Sequence, residues 1–194
     1  MLSAGMELLS DDFARAGQLC EAAVVDLVSA YTRGVEVRDT LLERTRRVQR
    51  LQDEADEVAA EIIARLQPGA SDMRSVRSYQ KLTMEFSRLV RYAYDISDFV
   101  TRRHTSDESD ENVKRVADGT RILIEIGIRS LRTKDLALGE ELRRMSTPSH
   151  LSESETNGVR ATSSALLLRF LDGVSAHATS IGNSVRYVTT GEGS

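Results

Sequence analysis

The chain has 194 residues, 40% of them hydrophobic and 29% charged, which is enough apolar material for one large domain or two small ones. Its 26 basic and 30 acidic residues leave a net charge of −4, which argues against a general nucleic-acid binder, whose footprint is a strong positive excess. Two prolines and 5% aromatic residues disfavour a barrel or sandwich, whose turns consume proline and glycine, so helix is the default.

The first periodic segment is expected to start near Ser10-Asp11-Asp12, which offers N-cap chemistry. Phe13, Ala16, Cys20, Ala23, Val24, Leu27 and Tyr31 then share one helical face, and Gly34 ends the run. In the second segment Leu41, Val48, Ala55 and Ile62 recur every seven residues, with Leu51 and Val58 as companions. Arginines and carboxylates fill its other faces, the pattern of a long helix packed nearly antiparallel to its neighbours. Gln67-Pro68-Gly69-Ala70 stops it, and Ser71 or Asp72 is placed to cap the next helix. That third helix carries Val76, Tyr79, Thr83, Phe86, Val90, Ala93, Ile96 and Val100 on one face and runs to about His104. The polar, acidic stretch 105–111 reads as a linker.

Beyond the linker the pattern starts again. Val113, Val116, Thr120, Leu123, Ile124, Gly127 and Leu131 stand one hundred residues after the stripe of the first helix. A shorter helix is expected around Leu136, Leu142 and Met145, ended by Pro148. Ser152-Glu153-Ser154-Glu155 offers a capping box, and Val159, Thr162, Leu166, Phe170, Val174, His177, Ile181, Val185 and Val188 mark the last helix, which Thr190-Gly191 ends. The expectation is an all-α fold of six helices in two tandem three-helix bundles, an internal repeat covering 1–104 and 112–194.

Little in the sequence points to catalysis. No GxSxG, Walker-type glycine loop, HExxH or dinucleotide fingerprint occurs, so the chain reads as a non-enzyme. One cysteine, Cys20, excludes an internal disulfide and a Cys-based zinc site, and its place in an apolar stripe makes it a buried thiol. Apolar runs such as Ala165-Leu166-Leu167-Leu168 fall far short of the ~20 residues that span a bilayer, and residues 1–12 carry no secretory pattern. A cytoplasmic protein is expected.

Leu51-Gln52-Asp53-Glu54-Ala55-Asp56, Glu61-Ile62-Ile63, Gln67-Pro68-Gly69-Ala70-Ser71-Asp72-Met73-Arg74, and Lys81 with Glu85 resemble the first half of a PhoU protein. Arg169-Phe170-Leu171-Asp172, His177-Ala178-Thr179, Ile181 to Tyr187, and Thr190-Gly191-Glu192 resemble the ending of its second repeat. The resemblance implies a regulator of phosphate uptake that contacts the phosphate transporter and, in many bacteria, its sensor kinase, often as a homodimer. It also implies metal sites in the members that carry an acidic residue followed four positions later by aspartate, once per repeat. Here those positions are Ser87 and Arg91 in the first repeat, and Asp172 and Ala176, followed by His177, in the second. A serine and an arginine do not suit a hard cation, so no metal and no cofactor is assigned. A residual carboxylate site around Asp172, in a metal storage or sensing protein, is the rival reading.

Arg74, Arg77, Lys81 and Arg88 share one face of the third helix, with Arg91 at its margin and Glu85 on its flank. Beside the plain reading as a solvated face, they form a candidate strip for docking an acidic partner, an anionic membrane surface or a phosphate-bearing ligand. Asp53, Glu54, Asp56, Glu57 and Glu61 read as a solvated face supported by nearby arginines, and His177 as a packed histidine.

Overall fold

Three- and four-residue apolar spacing can bury itself only by pairing helices, and every regular element among the described residues is a helix. The computed structural model describes residues 1–101, 108–146 and 159–192. The elements are α1 (Leu2–Arg33), α2 (Arg38–Arg65), α3 (Ala70–Thr101), α4 (Glu108–Thr133), α5 (Leu136–Met145) and α6 (Val159–Thr190).

Helix α1 begins eight residues before the expected cap. Leu9 is fully buried and Gly5 lies against Ile62 of α2, so packing against a neighbour carries the helix through its weak first turns. Asp12 is consequently a buried side chain inside the helix instead of a cap. Burial pushes its carboxyl above the usual range, and the nearby Glu54 charge adds to the rise against the opposing pull of Arg15. Gly34, at φ 66, closes α1 with its N–H on the Ala30 carbonyl at 3.0 Å. Ser71 and Asp72 lie within the first turn of α3, which opens at Ala70. Asp135 caps α5, its side chain accepting the Leu138 N–H at 3.1 Å, a cap the apolar periodicity did not reveal. Residues 105–107 of the expected linker, and Pro148 and Ser152 to Glu155, lie outside the described residues. Glu108 to Glu111 already belong to α4.

The six helices form two three-helix bundles. In the first, α1 runs antiparallel to α2, with Asp26 Oδ2 accepting from Arg44 Nε at 2.6 Å. Helix α3 packs on both. Arg38 of α2 ties them by donating to Asp98 at 2.8 Å and to the Tyr94 hydroxyl at 2.9 Å. In the second bundle α4 and α6 lie side by side and α5 covers them. Gly139 and Gly182 bring α5 and α6 together so closely that a Cβ on Gly182 would stand 2.7 Å from the Gly139 carbonyl oxygen.

The bundles lie side by side along a seam in which α1 meets α4 and α3 meets α6. Gly17 of α1 admits Ile128 of α4, and Phe86 of α3 fills the space beside it. Arg121 of α4 donates twice to Glu21 of α1, at 2.9 and 3.1 Å, and Arg132 reaches Asp11 at 2.8 Å. One continuous apolar core therefore runs through both bundles, including Phe13, Phe86, Leu131, Phe170 and Ile181.

Candidate functional site

Helix α3 buries Val76, Tyr79, Phe86, Val90 and Ala93 toward α1 and the seam, which turns its opposite face outward. Arg77, Lys81, Arg88 and Arg91 are exposed on that face. Lys81 lies 3.9 Å from Glu85, a loose and solvated pair. Among the described residues no ion pair engages Arg77, Arg88 or Arg91. From Arg77 to Arg91 is fourteen residues, about 21 Å along the helix at ~1.5 Å per residue. The arrangement offers a line of guanidinium forks and one ammonium to oxygen-bearing partners.

Arg74 lies elsewhere. It is half-buried beside Gly191, where a Cβ on the glycine would stand 3.6 Å from the guanidinium carbon. A cation at the end of α6 also meets the negative end of that helix's dipole. The structure thus groups Arg91 with Arg77, Lys81 and Arg88, and directs Arg74 to the end of α6.

On the flank of the same helix, Glu85 reaches across the seam. Its Oε2 lies 2.6 Å from Nδ1 of the buried His177, and its Oε1 accepts from Ser180 at 3.5 Å. The carboxylate can only accept, so Nδ1 carries the proton of this bond. Burial pulls the Glu85 carboxyl upward, but the His177 hydrogen bond and the charge interactions with His177 and Lys81 outweigh it and hold the carboxyl below its usual range. The His177 ring stands edge-on to Phe86 at 4.2 Å, and its Nε2 is buried without a hydrogen-bond partner among the described residues. His177 is the packed histidine that the sequence suggested. Its partner, ninety-two residues away, had no local signal.

Among the described residues the remaining titratable groups do not assemble a site. Asp53, Glu54, Asp56, Glu57 and Glu61 are exposed along α2, with Asp56 accepting from Gln80 and Glu61 from Arg65. Cys20 is fully buried, and burial pushes its thiol far above the ordinary range. A 390 Å³ cleft between α1 and α2 is lined by Leu19, Asp39, Thr40, Glu43, Arg44 and Arg47, whose charges of both signs converge on no single ligand chemistry.

Residues 13–100 match the family model of the PhoU domain. Over that stretch the chain is similar to PhoU domains. The whole fold is also that of PhoU structures. A crystal structure of PhoU from Pseudomonas aeruginosa superposes with a TM-score of 0.86 at 19% identity, covering 99% of this chain and 100% of that one. The phosphate transport system regulatory protein PhoU from Streptococcus pneumoniae gives a TM-score of 0.83 at 14% identity, covering 99% and 98% of the two chains. No curated protein sequence matches significantly.

Within this PhoU fold the positions that the resemblance associates with metal can be tested on the side chains present. Ser87 is half-buried, Arg91 is exposed, Asp172 is half-buried and Ala176 is exposed. A divalent cation at the α3 pair would meet a hydroxyl and a positive charge, and one at the α6 pair a single carboxylate, where hard cations need several anionic oxygens. No three His, Cys, Asp or Glu side chains among the described residues come together in a metal-binding group. The donor set does not fit a multinuclear metal centre.

Proposed function

We propose that this chain is a non-enzymatic regulator of phosphate uptake, acting as a cytoplasmic helical adaptor toward phosphate-transporter components and a sensor kinase. The observation that carries the reading is the similarity to PhoU domains across residues 13–100, set in a fold shared end to end with PhoU from Pseudomonas aeruginosa. Two further features support it. Among the described residues no helix is long and apolar enough to cross a membrane, so contact with a transporter would be made from its surface. The outer face of α3 offers Arg77, Lys81, Arg88 and Arg91 in a row whose charge complements an acidic protein surface.

In this mechanism α3 is held rigidly on three sides, by α1, α2 and α6, and presents its fourth side to the partner. Rigid backing lowers the ordering cost of binding, since only the side chains must be fixed. Arg74 belongs to the same helix but supports the end of α6, so it contributes to docking through the frame. A homodimer completes the proposal, as a second copy would double the number of such faces.

The test has two parts. Deleting the gene should leave phosphate uptake unrestrained when external phosphate is plentiful, measured with radiolabelled phosphate; unchanged uptake refutes the pathway. Charge reversal of Arg77 and Arg88 to Glu should leave helicity intact and weaken capture of the purified transporter ATPase, more so at low salt. Equal capture by wild type and variant refutes the docking strip while leaving the pathway standing.

A further inference from the structure

The departure of α3 and α6 from a carboxylate-rich surface has a chemical consequence. Ser87 and Arg91 stand four residues apart on α3, as do Asp172 and Ala176 on α6, so each pair occupies neighbouring positions on one helix face. The two helices run antiparallel in contact through Glu85, Leu89 and Tyr92 of α3, whereas Ser87 and Arg91 lie on the flank of α3 that faces α2 and solvent, so each pair stands by itself. Arg88 and Arg91 are both exposed and outside any ion pair among the described residues. Among the described residues the imidazole next to Ala176 cannot complete a coordination sphere, since Nδ1 of His177 is bound to Glu85 and Nε2 is buried. Asp172 already takes part in an interaction of its own.

We infer that this regulator works without a divalent metal at either pair, with the guanidinium of Arg91, reinforced by Arg88, as the fixed positive charge on the outer face of α3. A bound metal presents positive charge only while its ligands are deprotonated and the ion is available. An arginine keeps its charge at every physiological pH and in the presence of chelators. Recognition at this face is therefore independent of metal supply. Ser87, Arg91 and Ala176 are the residues that exclude the ion, the first and third by lacking an anionic oxygen and the second by repulsion. The inference does not depend on which partner is bound.

The experiment loads the full chain with excess Mn²⁺ or Zn²⁺, removes free metal by desalting, and measures metal per chain by elemental analysis. Wild type should retain only trace metal, and its thermal midpoint should be the same with metal and with chelator. The variant S87E/R91D/A176D recreates an acidic pair on each helix at half-buried or exposed positions. It should retain about one or more metal ions per chain and gain several degrees of thermal stability when loaded. Ser87→Glu with Arg91→Asp, which restores an acidic pair on α3 alone, should retain metal more weakly and serves if the triple variant loses its helicity. Stoichiometric metal in the wild type that disappears in Asp172→Ala overturns the inference. So does a folded triple variant that takes up no metal, because the three residues would then not be what excludes the ion.

Discussion

Phe86 is the side chain on which three helices and both bundles converge, and replacing it with alanine probes the seam directly. The ring is fully buried. It stands 5.6 Å from the Phe13 ring of α1 and 4.2 Å from the His177 ring of α6, and its Cε2 would lie 3.3 Å from a Cβ on Gly17. A buried Phe→Ala change costs about 3–5 kcal/mol through lost transfer energy and the cavity left behind. Each ring pair is worth about 0.5–1.5 kcal/mol beyond area, which places Phe86→Ala in the upper part of that range, about 4–5 kcal/mol. Phe86→Leu keeps most of the volume and loses mainly the ring contacts, so about 1–2 kcal/mol is expected. Denaturant titration followed by circular dichroism gives both values, and for a chain of this size the alanine variant's midpoint temperature should fall by roughly 8–20 °C. A loss below ~2 kcal/mol for alanine, or equal losses for leucine and alanine, would show that the seam is not closed around this ring.

Three further outcomes follow from the same packing. Glu85 has a lowered carboxyl value in the folded chain, so its contribution is fully present above the ordinary glutamate range and is lost as the pH falls through the lowered value. The stability difference between wild type and Glu85→Gln, measured by denaturation across acidic pH, should therefore shrink on acidification; a difference that grows contradicts the His177 pairing. Gly182→Ala forces a Cβ to 2.7 Å from the Gly139 carbonyl, whereas Gly17→Ala meets side-chain atoms alone, the movable end of Ile128 at 2.6 Å and Phe86 Cε2 at 3.3 Å. The first should cost about 1–3 kcal/mol or more and the second much less, since helix propensity offsets part of the strain; equal melting temperatures would refute the close α5–α6 approach. Cys20 should resist a thiol reagent in the native state and react at the rate of unfolding, which stopped-flow labelling in denaturant would show.

The charge face shows how far local pattern reaches. Arg77, Lys81 and Arg88 are exposed because they oppose a stripe of Val76, Tyr79 and Phe86, and that opposition is written in a three- and four-residue period. Arg74 shares the period yet lies against Gly191, because the end of α6 covers that point of α3. Residues 2–9 gave no capping signal, and they are helical because α2 offers Ile62 to Gly5. The pairing of Glu85 with His177 was equally hidden, since a carboxylate on the flank of a basic row looks solvated until a second helix lies across it.

The sequence pattern alone therefore determined that this chain is helical and which side of each helix is apolar, because these follow from neighbours within a few residues, and that the helices come as two trios, because the first stripe recurs one hundred residues on. The tertiary structure alone decided that the trios lie side by side, that Phe86 and His177 meet at their seam, and which arginines remain free. Those facts depend on which faces touch across some ninety residues of chain, as Glu85 and His177 do. Helical periodicity specifies an apolar face but not the face it will meet.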